Sequence, residues 1–301
     1  MAAANRLSSL PVAHKLFLLD SLMYTCCLPV RRLCMQQSRK LILIFAGASI
    51  LIASLAFGFA KGRLVVNRRK EAVTANRLQG LPHVMLWAWE RPTNLRFINP
   101  NEAGVAFLAR TICLHSGEVE VRPRLQPLDL PEEIRVMAVV RVETDAARKP
   151  ELSAQQRDQL AGAIVELTKL PNVSHVQIDF DATKSERAFY RKLIFDVRRR
   201  LPDTVSLSIT ALASWCTDDD WLSDLPIDEA VPMLFRMAGD GKQIARRLDA
   251  GEDFISRPCL HSYGISTDEP RSGLSIARRF YVFNPEPWTE ASVRAILESQ
   301  R

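Results

Sequence analysis

Asp179 and Asp181 stand two residues apart in the apolar run Val176-Gln-Ile-Asp-Phe-Asp181. Side chains alternate along extended backbone, so both carboxylates share one face with Gln177 while Val176, Ile178 and Phe180 take the other. Two carboxyls at a strand end can divide acid and base roles, as in glycosidic bond hydrolysis. Glu90, in Trp87-Ala-Trp-Glu90, and Glu143, in Arg141-Val-Glu143, are the candidates for a partner acid. Burying several carboxylates is costly unless cations answer them, which makes Arg141 and Arg236 natural counter-ions. Trp89 and Trp215, with Trp87 and Trp288, could stack on sugar rings, and Thr210 ends the neighbouring run Ser208-Ile-Thr210. Bland readings compete with each of these. The aspartates could be a structural pair, and Glu90 and Glu143 could simply salt-bridge Arg141 or Arg91. Two of the four tryptophans are expected in the core. Glu186 is explained by a capping box in Thr183-Lys-Ser-Glu186 and is left out of the site.

These groups need a scaffold that gathers strand ends. Apolar runs recur at 83–89, 104–108, 134–142, 173–180, 205–213, 230–237, 256–263 and 280–283, many separated by helical patterns. Ser153-Ala-Gln-Gln156 reads as a capping box before a helix carrying Leu160, Ile164 and Leu167, ended by Pro171. The helix after Thr183 carries Phe189, Leu193 and Val197 at i+4 spacing and ends before Pro202. Strand and helix in alternation, with strands buried on both faces, argue a parallel sheet. Eight such units predict an α/β fold of compact, helix-poor (β/α)8 type, whose sites gather at the C-terminal strand ends. An open doubly wound sheet is the alternative, weakened because no GxGxxG or GxxxxGK[ST] loop follows any strand.

Cofactor and metal signals are missing. His83, His115, His175 and His261 have no ligand spacing, and no CxxC pair is present, so no metal or cofactor is expected. Asp218-Asp-Asp220 reads as a solvated helix start. Among Cys113, Cys216 and Cys259 at most one disulfide can form.

The chain of 301 residues carries a net charge of +6, but that charge is local. Residues 1–40 hold six Lys/Arg and one acid, 41–60 hold no charge, and 61–301 hold 34 basic and 33 acidic residues. The remainder is nearly neutral, which argues against a nucleic-acid partner. Residues 41–60 form an uncharged run long enough to span about 30 Å of hydrocarbon. Arg39, Lys40 and Lys61 bracket it, so a single transmembrane helix or signal-anchor is expected there. From Met35 the sequence also resembles a signal sequence, with Gly58-Phe-Ala60 as a cleavage site. The length of the run favours an uncleaved anchor. Residues 1–40 then read as a basic arm, whose first 34 residues could be an over-extended start. Residues 61–80 read as a basic linker and 81–301 as the barrel. The bases at 61–77 argue for a cytoplasmic barrel, whereas translocating the Arg-bearing tail is disfavoured. The balance favours an exported barrel.

A resemblance rests on several motifs in order: LWAWERP, then VQIDFDATKSERAFY, LSITALASWC and DEAVPMLFRM. Over most of residues 82–285 the chain resembles the bacterial domain-of-unknown-function family 3142. More loosely, IDFD is similar to the DxxDxDxE signature of chitinase-like glycosidases, which implies their barrel fold. Asp179 and Asp181 match the last two Asp positions, and Thr183 stands where that family has its proton donor. Together these readings predict a barrel of glycoside-hydrolase type tethered to a bacterial inner membrane. It would face the periplasm or the extracytoplasmic side and act on, or only bind, a cell-envelope glycan. A scaffold without ligand is the remaining alternative.

Overall fold

The structure, a computed structural model, describes residues 77–300. The expected basic arm, the 41–60 membrane segment and most of the linker lie outside the described residues. Among the described residues no helix is long and apolar enough to cross a membrane.

Among the described residues eleven strands form in chain order: β1 (Val84–Ala88), β2 (Thr93–Asn94), β3 (Ala103–His115), β4 (Glu118–Pro123), β5 (Leu128–Asp129), β6 (Val136–Thr144), β7 (Val173–Asp179), β8 (Ser206–Leu212), β9 (Glu229–Met233), β10 (Ser262–Ser266) and β11 (Arg279–Phe283). Eight of them close a parallel barrel in the order β1-β11-β10-β9-β8-β7-β6-β3, with β3 returning to β1. Closure excludes the open sheet. The helices among the described residues are α1 (Ala154–Val165), α2 (Arg187–Arg200), α3 (Ala213–Thr217), α4 (Gly241–Asp249) and α5 (Glu290–Ser299). The barrel is helix-poor as expected. The passages β1 to β3 and β3 to β6 carry short strands instead, β4 pairing antiparallel with β3 and β2 pairing with β5.

Alternation sends successive side chains of the barrel strands to the outer layer and to the lumen. Val176, Ile178 and Phe180 join the outer layer with Leu160, Ile164, Leu193 and Val197 of α1 and α2. Met85, Trp87, Met137, Val139, Val231 and Tyr281 fill the lumen. Packing there is tight: a Cβ on Gly264 would lie 3.1 Å from the Trp87 ring and 3.2 Å from the Pro232 carbonyl. Polar lumen groups pair with each other. Trp87 Nε1 donates to Gln177 Oε1 at 2.9 Å, and Gln177 Nε2 donates to Ser208 Oγ at 3.1 Å. Below them Glu229, with no exposure, takes the Tyr281 hydroxyl at 2.7 Å and Arg279 at 3.0 Å.

Several expectations need correction. The barrel unit begins before residue 81, because Leu78 and Leu81 are buried with the lumen core. Arg77 also binds Asp228 at 3.1 Å and the Asp203 carbonyl at 2.7 Å. Run 104–108 is part of a 13-residue strand; Arg110 and Thr111 interrupt its apolar pattern but find partners in the Ala163 carbonyl and Glu90. Run 256–263 is strand only from Ser262. A 3₁₀ turn, Arg257–Leu260, occupies the rest, since Pro258 has no N–H and Cys259 is bonded to Cys216. Ser153 caps α1 by accepting from the Gln156 N–H at 3.2 Å. The return bond of a capping box is not made: Gln156 accepts from the Leu152 N–H and donates to the Ser116 and Glu118 carbonyls. Helix α1 stops at Val165, ahead of Pro171, and continues as a 3₁₀ turn. Asp218 to Asp220 follow α3 rather than start a helix, and pair with Arg247, Arg187 and Ser223.

Candidate functional site

A cavity of about 350 Å³ opens at the C-terminal end of the barrel, where the strand ends deliver side chains from distant parts of the chain. One wall is polar and comes from β6, β7 and β8. Arg141 donates from Nη1 to Asp179 Oδ2 and from Nε to Glu143 Oε1, each at 2.9 Å. The Thr210 hydroxyl donates to Asp179 Oδ1 at 2.7 Å. Both Asp179 oxygens are therefore engaged, and the residue is only 4% exposed. Burial raises the Asp179 pKa, although Arg141 and Thr210 oppose the shift. Burial also works against the Arg141 charge, but Asp179 and Glu143 hold its pKa above the ordinary value.

Asp181 behaves differently. It follows the last residue of β7, is exposed at the cavity wall, and has no hydrogen-bond or ion-pair partner among the described residues. Desolvation by its surroundings raises its pKa, with Arg141 pulling the other way. A carboxyl that keeps its proton longer than usual and faces a cavity can donate that proton.

The opposite wall is aromatic. Phe235 and Phe283 stack with ring centroids 5.6 Å apart and planes within 3°. Trp89 meets Phe283 edge to face at 6.4 Å. Met233, Met237 and Ile244 extend the apolar surface. Trp89 is held from behind by Arg124, whose guanidinium donates to the carbonyls of Ala88, Trp89 and Arg91. Trp288 donates to the Trp87 carbonyl at 2.9 Å.

Of the expected site residues, Asp179, Asp181, Arg141, Thr210 and Trp89 meet at this cavity, and Arg236 borders it. Arg236 does not answer the aspartates. Its backbone turns at φ 49°, and its N–H donates to Glu269. Its guanidinium lies over Phe283, 3.6 Å from Asp268. Trp215 is buried at 1% exposure and packs on Trp221, because residues 213–217 coil into a helix that sends Ala213 and Ser214 to the cavity. Glu90 does not line the cavity; it accepts from Thr111 at 3.0 Å and pairs with neither Arg141 nor Arg91. Glu143 salt-bridges Arg141, as its bland reading held. The capping box expected at Thr183 is not formed: α2 begins at Arg187 with Glu186 at its N-cap and no side-chain capping bond, and the Glu186 carboxylate instead accepts from the Thr183 N–H and hydroxyl at 2.7 Å each in the preceding turn.

Sequence reasoning missed Phe235, Phe283 and Tyr190. The two phenylalanines stand near the ends of expected strand runs, a signal that could have been used. Tyr190 is buried on α2, its hydroxyl has no hydrogen-bond partner among the described residues, and burial with the charges of Asp179 and Asp181 pushes its pKa up. Cys216 and Cys259 form a disulfide, and Cys113 has no disulfide partner among the described residues. Comparison with protein-family models, curated proteins and solved structures returned no match.

Proposed function

We propose that this barrel acts on a glycan in the manner of a glycoside hydrolase, with Asp181 as proton donor and Asp179 as the second carboxylate. One observation carries the reading. An unpaired carboxyl with a raised pKa faces an aromatic wall across a cavity sized for a small ligand. Aromatic faces stack on the C–H faces of sugars, while the Arg141 side supplies polar partners for hydroxyls. The test is release of new reducing ends from cell-envelope glycan by the full chain, compared with Asp181→Asn. Turnover by the wild type that vanishes in the variant supports the assignment.

A second reading, a non-catalytic carbohydrate-binding barrel, draws on the two occupied oxygens of Asp179. Hydrolysis of this kind uses two available carboxyls, and of the pair Asp179 and Asp181 the first has both oxygens engaged. Saccharide binding without any new reducing ends would favour it.

The proposal includes the tether. Residues 41–60 anchor the chain in a bacterial inner membrane with the barrel outside, a compartment in which the Cys216–Cys259 disulfide would persist. Carbonate-resistant pelleting, and alkaline phosphatase activity of a fusion after Arg301, test this. Kinship with domain-of-unknown-function family 3142 is part of the same proposal and rests on the motifs within residues 82–285.

A further inference from the structure

The carboxylates do not sit at the end of one cavity; they stand between two. On the far side of Asp181 and Arg141 a second cavity of about 490 Å³ opens at the ends of β3 and β6. Arg141, Asp179 and Asp181 line both. The two halves differ in character. The first is walled by Phe235, Phe283 and Trp89, the second by Glu143, Thr144, Asp145 and Cys113. Each volume falls within the range of about 300–1,000 Å³ typical of ligand sites. We infer that the cleft takes an elongated, non-acidic oligosaccharide laid across Asp181, one unit on the aromatic half and the next on the polar half. This inference rests on the glycan reading above and adds its length and its charge.

Length follows from where Asp181 stands. A single sugar on the aromatic wall would leave the second cavity empty and carry no glycosidic bond to the carboxyl. A chain crossing the divide puts a linkage beside it.

Charge follows from the pairing of the cations around the cleft. Arg141 is committed to Asp179 and Glu143. Arg122 reaches Glu143 at 3.5 Å, and Arg148 holds Asp145 at 2.9 Å. Arg236 is matched by Asp268. Among the described residues that line the two cavities, the charges left without an ion pair are the carboxylates of Asp181 and Asp240, so a uronate or phosphate would meet repulsion with no unpaired lining cation to answer it. Neutral and amine-bearing sugars meet no such obstacle.

The test is calorimetric titration of the full chain in detergent with three ladders of one to five units: N-acetylated hexosamine, the same oligomers de-N-acetylated, and a uronic acid series. Affinity for the first two should rise about tenfold or more from one unit to three as the second half fills. Uronates of equal length should bind about tenfold more weakly, and Asp181→Asn should narrow that gap. Phe283→Ala, with folding checked by melting, should weaken all lengths of the neutral series. Equal affinity for one and three units overturns the two-part cleft. Equal affinity for uronates overturns the charge argument. If no saccharide of any length or charge binds, the glycan reading itself fails and takes this inference with it.

Discussion

Arg141 donates to Asp179 at 2.9 Å and thereby leaves Asp181, two residues further along the same chain, without a partner. One guanidinium thus separates two carboxyls that alternation puts on the same face. The first is buried and bound at both oxygens. The second is open to the cavity.

The two aspartates should respond differently to the same change. Asp179→Asn removes a buried charge that Arg141 and Thr210 hold, and should cost about 1–3 kcal/mol. In a domain of this size that lowers the melting midpoint by about 2–4 °C per kcal/mol. Asp181→Asn breaks no bond in the structure and should stay within about 0.5 kcal/mol of wild type while abolishing turnover. Melting curves read beside reducing-end release separate the two. An Asp181→Asn variant that melts far below wild type would withdraw it from the site.

His175 predicts an acid limb of stability. Its ring is buried, Nδ1 lies 2.7 Å from Ser206 Oγ, and burial, with Arg279 and Arg135 nearby, lowers its pKa to about 4. The unfolded chain binds this proton near the ordinary pH of about 6.5, the folded one only near 4. Stability is therefore whole above 6.5 and declines as pH falls towards 4, by about 3 kcal/mol at about 1.4 kcal/mol per unit. His175→Gln should flatten this part of a pH series of urea midpoints. Asp179 slopes the other way: its raised pKa adds stability at low pH that is lost as pH climbs past the usual carboxylate range.

The lumen floor should prove structural. Leu78 and Leu81 close it, each 8% exposed. Leu78→Ala or Leu81→Ala should destabilise by about 2–5 kcal/mol, since the barrel wall cannot collapse into the space. Ligand affinity, measured well below the melting range, should not change, because the site is at the opposite end. Wild-type melting by both variants would show that the floor carries no stability.

Reduction should loosen the wall behind the cavity. The Cys216–Cys259 disulfide closes a separation of 43 residues that contains β9 and α4. Cys216→Ala with Cys259→Ala should cost about 2–4 kcal/mol. Helix α4 carries Ile244 and Gly241 of the cavity, so ligand affinity should fall with stability. Unchanged melting with and without reductant would remove the disulfide from the account.

What was legible in the sequence was local. A period of two needs no knowledge of the rest of the chain, so Gln177, Asp179 and Asp181 could be assigned to one face. The eight apolar runs could likewise be matched to eight strands, and Glu186 to a local bond with Thr183, although that bond closes a turn ahead of α2 rather than a capping box. Interruption by polar residues hid the length of β3, because Arg110 and Thr111 are satisfied by Ala163 and Glu90, which lie far from them in sequence. Pairing across the barrel mouth was not legible at all. Arg236 seemed available to the aspartates until a turn at φ 49°, tied to Glu269, aimed it at Phe283 and Asp268. Phe235 and Phe283 stand 48 residues apart and stack only because β9, β10 and β11 are neighbours in a closed barrel. Sequence pattern thus determined that Gln177, Asp179 and Asp181 share one face of β7, since alternation acts residue by residue. Tertiary structure alone decided which carboxyl is bound and which is free, since that depends on where one guanidinium from another strand comes to rest.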